Sequence, residues 1–216
     1  MRPITVAVGP LATAVANNIA LSQTPSAGPL TLNGALVTSN VAVLDVARRV
    51  LFTFAGTETS NTFVVTGTGA TGRVQSESLT GTAPGTLSTV LDYKTVTSIT
   101  ISGNAAGAMT VGTSGVAASP WIRLDDWANP NVGIQCTVVG TVNYTVQQSF
   151  DDPNAPTNPV GLSSMTWVSS GDSNVVSATG TKASSFTYAP AFIRVLLNSG
   201  TGSVTMTATQ YGVVPK

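Results

Sequence analysis

Apolar residues recur at every second position in short runs along most of the chain. Ile4, Val6 and Val8 form one run, and Val50, Phe52 and Phe54 another. Thr97, Ile99 and Ile101 make a third, and Ile134, Cys136 and Val138 a fourth. A period of two puts alternate side chains on one face of an extended backbone, so the pattern predicts half-buried β-strands. Turn dipeptides punctuate the runs: Asn33-Gly34, Ser102-Gly103, Ser170-Gly171 and Ser199-Gly200. Long helical periodicity is absent. The one helical candidate, Leu11 to Leu21, is Ala-rich but lies between Pro10 and Pro25, and it reads equally well as an extended arm. The expected fold is all-β: an antiparallel sandwich, jelly-roll or Ig-like, with one or two packed lobes. Residues 1–28 are expected as an N-terminal arm and 29–120 as a sandwich lobe. Residues 121–216 are expected as a second lobe or a continuation of the first. Residues 153–165, in a Pro-rich stretch, are expected as a surface loop.

Two segments resemble one another. One runs from Val132 through Gly140 to Gln148, the other from Phe192 through Gly202 to Gln210. Each reads as a hairpin with a core face and a wet face. Val142, Tyr144 and Val146 fall on one side of the first, and Asn143, Thr145 and Gln147 on the other. Val204, Met206 and Ala208 match the first set, with Thr205, Thr207 and Thr209 outward. The similarity fits either a duplicated unit or two edge hairpins under the same constraint.

Composition narrows the function. Of 216 residues, 42% are hydrophobic and only 8% charged, against roughly a quarter charged in an average soluble domain. Nine basic and nine acidic residues cancel, there is no histidine, and Cys136 is the single cysteine. An intrachain disulfide framework is excluded, as are zinc sites built on His and Cys and nucleophilic machinery that needs an imidazole. A chain of zero net charge offers nucleic acid little counterion release. No run approaches the ~18 apolar residues of a membrane span. The first apolar stretch is interrupted by Gly9-Pro10 and Asn17-Asn18, which disfavours a secretory signal. No cofactor, nucleic acid, membrane or small-molecule substrate is expected. With so little charge, strand edges lack the Lys residues that usually protect them, which suits a protein whose edges neighbours cover.

Individual motifs are weak. Gly67-Thr-Gly-Ala-Thr-Gly72 is a literal GxGxxG with Asp92 about twenty residues on. It precedes an alternating segment, not a helix, so a hairpin turn is expected instead of a dinucleotide site. Asp125-Asp126 and Asp151-Asp152 are adjacent pairs. Neighbours on a strand point to opposite faces, so neither pair alone makes a glycosidase site, and turn formation is expected. Arg48-Arg49 reads as a solvated strand end and Cys136 as a buried thiol. Trp121 and Trp127 are candidates for core, for a protein interface or for stacking on sugar. Ile4, Val6, Val8 and Leu11, with Trp121 and Trp127, are the candidate partner-binding residues.

Several segments in order carry a resemblance. They are Leu30 to Val37, Val41 to Arg49, Gln75 to Gly81, Tyr93 to Gly103, Gly140 to Asp152 and Asn198 to Thr205. The series resembles a family of small virion structural proteins of tailed bacteriophages, especially short-tailed ones, over about residues 18–210. The resemblance implies a non-enzymatic virion component, made in the host bacterial cytoplasm and carried on the capsid exterior. It would be a head decoration or cement protein that contacts the major capsid protein and copies of itself, as a homotrimer. A tail or collar component and a carbohydrate-binding adhesin are the alternatives. No catalytic, cofactor or metal residue is implied.

Overall fold

The computed structural model describes residues 3–124 and 131–210. The fold is all-β, and every strand pairing among these residues is antiparallel. Two compact units divide the chain in a nested way: Ala12–Gly115 forms one, and Met1–Leu11 with Val116–Lys216 forms the other. The first is called the inserted unit and the second the split unit.

The split unit begins with β1 (Ile4–Val8). Strands β2 to β11 belong to the inserted unit: β2 (Val15–Gln23), β3 (Gly28–Pro29), β4 (Val37–Thr38), β5 (Val41–Arg48), β6 (Val50–Phe54), β7 (Thr62–Thr68), β8 (Val74–Thr80), β9 (Gly85–Ser88), β10 (Tyr93–Ile101) and β11 (Met109–Thr113). The split unit resumes with β12 (Ala117–Ala118), β13 (Ile122–Arg123), β14 (Val132–Val139), β15 (Val142–Ser149), β16 (Val168–Ser169), β17 (Lys182–Phe186), β18 (Phe192–Gly200) and β19 (Ser203–Gln210).

In the inserted unit, one sheet runs β4-β5-β10-β7-β8 with β3 also on β10, and the other runs β2-β11-β6-β9. Alternation drives burial as expected: Val50, Phe52 and Phe54 are buried while Leu51 and Thr53 are half-buried. Phe52, Phe54 and Phe63 meet with ring centroids 5.1–5.9 Å apart. Burying an aromatic ring of this size, plus ring-ring contact, makes the trio the centre of this core. The GxGxxG segment is the β7–β8 hairpin, closed by Gly72 N–H donating to the Gly69 carbonyl. The segment Leu11–Leu21 is extended, not helical, and from Val15 onward it forms β2 on β11.

In the split unit, one sheet runs β1-β19-β14-β17. The other runs β12-β18-β15-β16, with β13 also on β18. Two sequence expectations change here. The similar segments are not hairpins. Strand β14 pairs with β19, and β15 pairs with β18. The register is continuous, from Val132 opposite Gln210 to Val139 opposite Ser203. It resumes with Val142 opposite Gly200 and ends with Ser149 opposite Phe192, after one slip at Asn143/Tyr144. The two segments are therefore the two strands of one long ribbon. It folds over at Gly140-Thr141 and Gly200-Thr201-Gly202, and its halves lie in different sheets. Gly140 and Gly200 have φ of +78° and +103°, and Gly202 N–H donates to the Thr141 carbonyl at 2.9 Å. Glycine lets both strands turn the corner in close backbone contact. The shared sequence pattern is the requirement of that shared corner.

The second change concerns residues 1–28. Ile4 to Val8 are extended but pair along β19, Ile4 opposite Ala208 through Val8 opposite Val204. Residues 15–23 belong to the other unit. The expected free arm is instead two strands in two units. The joint between units falls at 115/116, and the N-terminal eleven residues return to the C-terminal half. The core face of the split unit holds Val132, Ile134, Cys136, Val204, Met206 and Ala208 from one sheet, and Val142, Tyr144, Val146, Ile193, Val195 and Leu197 from the other, all buried. The core faces assigned by alternation to β15 and β19 are the ones observed, but Thr145, expected on the wet face of β15, is buried.

Candidate interaction surface

Among the described residues, the candidate partner-binding residues fall at or just after β1 and just before β13, strands of different sheets. Ile4, Val6 and Val8 sit opposite Ala208, Met206 and Val204, on the face those buried residues line. Val8 and Leu11 are buried and Ile4 and Val6 half-buried. Strand β1 pairs on one side with β19 and remains an outer strand of its sheet on the other. Trp121 is half-buried. Trp127 lies outside the described residues, as do Asp125 and Asp126.

Trp121 does anchor a cluster that alternation did not reveal. Its ring lies 5.4 Å from that of Trp167 and 5.7 Å from that of Phe192. The Arg194 guanidinium carbon sits 3.9 Å from the Trp167 centroid, and Arg194 Nε donates to Gln147 Oε1 at 3.0 Å. Arg194 is 5% exposed. A cation over an indole face, with its N–H held by an amide oxygen, offsets part of the desolvation it suffers. Phe192 and Arg194 alternate with the core residues Ile193 and Val195, so they lie on the outer face of that sheet. Trp167 arrives from the long loop after β15. Its contacts span 27 to 46 positions of sequence, and no local pattern announces them. A charged residue inside an apolar strand was the only visible signal.

A second aromatic group is exposed. Phe150 (66% exposed) stacks near-parallel to Tyr188 (41% exposed) with centroids 6.0 Å apart. Gln148, itself buried, donates through Nε2 to the Tyr188 hydroxyl at 2.8 Å, and that hydroxyl lies 3.1 Å from Gln148 Oε1. Val168 (54% exposed) pairs with Gln148 across β16 and β15. The Tyr188 ring is therefore fixed through its hydroxyl, with Phe150 stacked on it.

The charged residues mostly hold backbone. Glu58 is fully buried and accepts from Asn61 Nδ2 at 2.7 Å, Ala106 N–H at 2.8 Å and Gly107 N–H at 3.3 Å. Glu77 accepts the amides of Val90 and Leu91 at 2.8 and 2.9 Å. Burial raises its carboxyl above the ordinary value, against the pull of those amides and of the Arg49 charge. Asp151 accepts from the Thr166 amide. Asp152 accepts from the Asn154 amide and faces Arg123 at 3.4 Å. The adjacent aspartates order the loop, as the turn reading expects. Asp172 accepts from the Ser184 hydroxyl and the Asn174 amide, which lower its carboxyl below the usual range. Arg48 is a correction: it is 1% exposed, not a solvated strand end. Burial pushes the Cys136 thiol up to about 11 even though the Tyr144 hydroxyl counters it, so at neutral pH it is protonated and a poor nucleophile.

The strand edges carry few charges. The path-end strands β1, β2, β4, β9, β12 and β16 contain no charged residue. Edge strand β8 has only Glu77, and that side chain is buried. Lys182 on β17 and Arg123 on β13 are the charged residues of the remaining outer strands. No protein-family model, curated protein or solved structure matches the chain.

Proposed function

We propose that this chain is a non-enzymatic structural component of a bacteriophage particle, a head decoration or cement protein. It bridges major capsid subunits on the outer shell and associates with copies of itself as a trimer. The observation that carries this reading is the uncharged set of outer strands. An open edge presents unpaired N–H and C=O groups, and isolated β-proteins usually guard it with Lys, Pro or bulges. Here β2 carries bulges and β4, β12 and β16 are only two residues long, but charged guards are nearly absent, which suits edges that neighbours cover in a fixed assembly. The ordered resemblance to phage virion proteins supplies the kind of assembly. Strand addition and apolar burial would supply the binding.

Quantitative mass spectrometry of purified virions tests it. A copy number close to that of the major shell protein is expected. A handful of copies per particle would move the protein to the tail or collar, and complete absence would reject the virion reading.

A second reading, a carbohydrate-binding adhesin, is favoured by the exposed Phe150–Tyr188 pair. A pre-oriented aromatic surface beside a fixed hydroxyl suits a sugar ring. On a glycan array, signal from the native chain that disappears in both Phe150→Ala and Tyr188→Ala would support it. An array without signal would dismiss it.

A further inference from the structure

The inserted unit leaves and re-enters the split unit at Leu11–Ala12 and Gly115–Val116. An inserted domain needs its two ends held together, because its first and last strands otherwise fray from the open end. Alternating strand pairing does this here only in part. Val15 is opposite Thr113, but the β2–β11 register slips twice between Gln23 and Val15.

The buried Arg48 supplies the remainder. It ends β5, far in sequence from either terminus of the unit, and reaches both. Its Nη1 donates to the Ala12 carbonyl at 2.9 Å, its Nε donates to the Ser114 carbonyl at 2.8 Å, and Nη2 donates to that same Ser114 oxygen. Asp45, three residues earlier in β5, completes the arrangement. Its carboxylate lies 3.1 Å from Arg48 Nη1 and accepts the Ala12 N–H at 2.7 Å. Ala12 is thus held by both its amide and its carbonyl, and Ser114 by its carbonyl. The planar guanidinium suits this task because it fixes several donors in one geometry. A lysine at this position would have one nitrogen for two carbonyls.

We propose that the Arg48–Asp45 pair is a staple that closes the inserted unit at its base. It holds the entering and leaving chain together, so the inserted unit opens as a body of its own while β1 stays on β19. This is a conformational device independent of which partner the protein binds.

Native-state hydrogen exchange on the full chain tests it. In Arg48→Met, whose side chain is similar in length but uncharged, amides of residues 12–15 and 113–115 should exchange at least about 10-fold faster, the scale of losing a hydrogen bond to a charged group. Amides of β1 and β19 should keep their native protection. Unchanged exchange at 12–15 and 113–115 would overturn the staple. Equal loss of protection in β1 would overturn the independence of the two bodies. If Arg48→Met does not fold, Asp45→Ala takes its place, because it keeps the guanidinium and removes the acceptor of the Ala12 amide. It should accelerate exchange of the Ala12 amide first, and protection of that amide equal to the native chain would overturn the proposal.

Discussion

Gly200→Ala should destabilise the split unit and leave the inserted unit alone. Gly200 sits where the long ribbon turns from one sheet to the other, with φ of +103°. An L-residue held at that φ costs about 1–3 kcal/mol. The new Cβ would run into the Thr141 carbonyl oxygen and lie 2.9 Å from Val142 Cα, both backbone atoms that cannot swing aside. Overpacking of this kind adds about 1–3 kcal/mol, for a total of about 2–6 kcal/mol. A control sits in the same unit: Gly180 has no atom within 4 Å of its would-be Cβ and no positive φ, so Gly180→Ala should fall within about ±1 kcal/mol of the native chain. The assay is selective. All three tryptophans, Trp121, Trp127 and Trp167, belong to the sequence span of the split unit. Tryptophan fluorescence in urea therefore reports that unit, and midpoint shift multiplied by the slope gives the free-energy change. A Gly200→Ala midpoint equal to that of Gly180→Ala would refute the corner as the fold's tight point.

Three further outcomes follow from the buried charges and the first strand. Glu58→Ala leaves the Ala106 and Gly107 amides without their buried acceptor and the Asn61 amide with only the Asn104 carbonyl, and about 2–5 kcal/mol should disappear from inserted-unit stability as read by circular dichroism, with tryptophan fluorescence unmoved. Burial pushes the Asp45 carboxyl up, but the Ala12 amide and the Arg48 charge outweigh it and hold the carboxyl below its ordinary 3.8. Its contribution is then present above about pH 4 and lost as pH falls through the lowered value, so acid titration of Asp45→Asn should show a shallower stability loss than the native chain in that window. Val8→Ala, at a buried β1 position opposite Val204, should lower split-unit stability by about 1–2 kcal/mol, read as a lower fluorescence midpoint; a native midpoint would mean that β1 is not docked on β19 in solution.

The strands themselves were legible because burial on a sheet face has period two, and that signal is local. The core faces of β15 and β19 could be assigned residue by residue, on β15 from Val142, Tyr144 and Val146. Partner choice was not legible. Gly140-Thr141 between two alternating strands looks like the tight loop of a hairpin, yet a two-residue link serves equally well for a chain that steps from one sheet to the facing one. What decides between them is the pairing of β14 with β19, about 70 positions away. The β1–β19 pairing spans nearly the whole chain and leaves no local trace. Arg48 and Arg194 were misread or missed for a common reason: a charged residue in a strand is expected to face water unless its partners are known. For Arg48 those partners are backbone carbonyls at Ala12 and Ser114, which no side-chain pattern encodes.

The same buried charges bear on what the exterior can do. A chain with nine basic and nine acidic residues has little charge to keep copies apart. Glu58, Glu77 and Arg48 are withdrawn into the inserted unit to hold loops and chain ends, and Arg194 is withdrawn beneath Trp167. Each withdrawal makes the fold more determinate and the surface more neutral. In a freely diffusing β-protein that exchange would be costly, because neutral edges pair with one another. In a protein that occupies a fixed place among neighbours the cost is absent, since the edges are covered and the rigidity gained is useful under load. Charge placed inside to fix loops, instead of outside to guard edges, is therefore the arrangement that a shell component favours, and it is the physical reason for preferring that reading over a solitary binding protein.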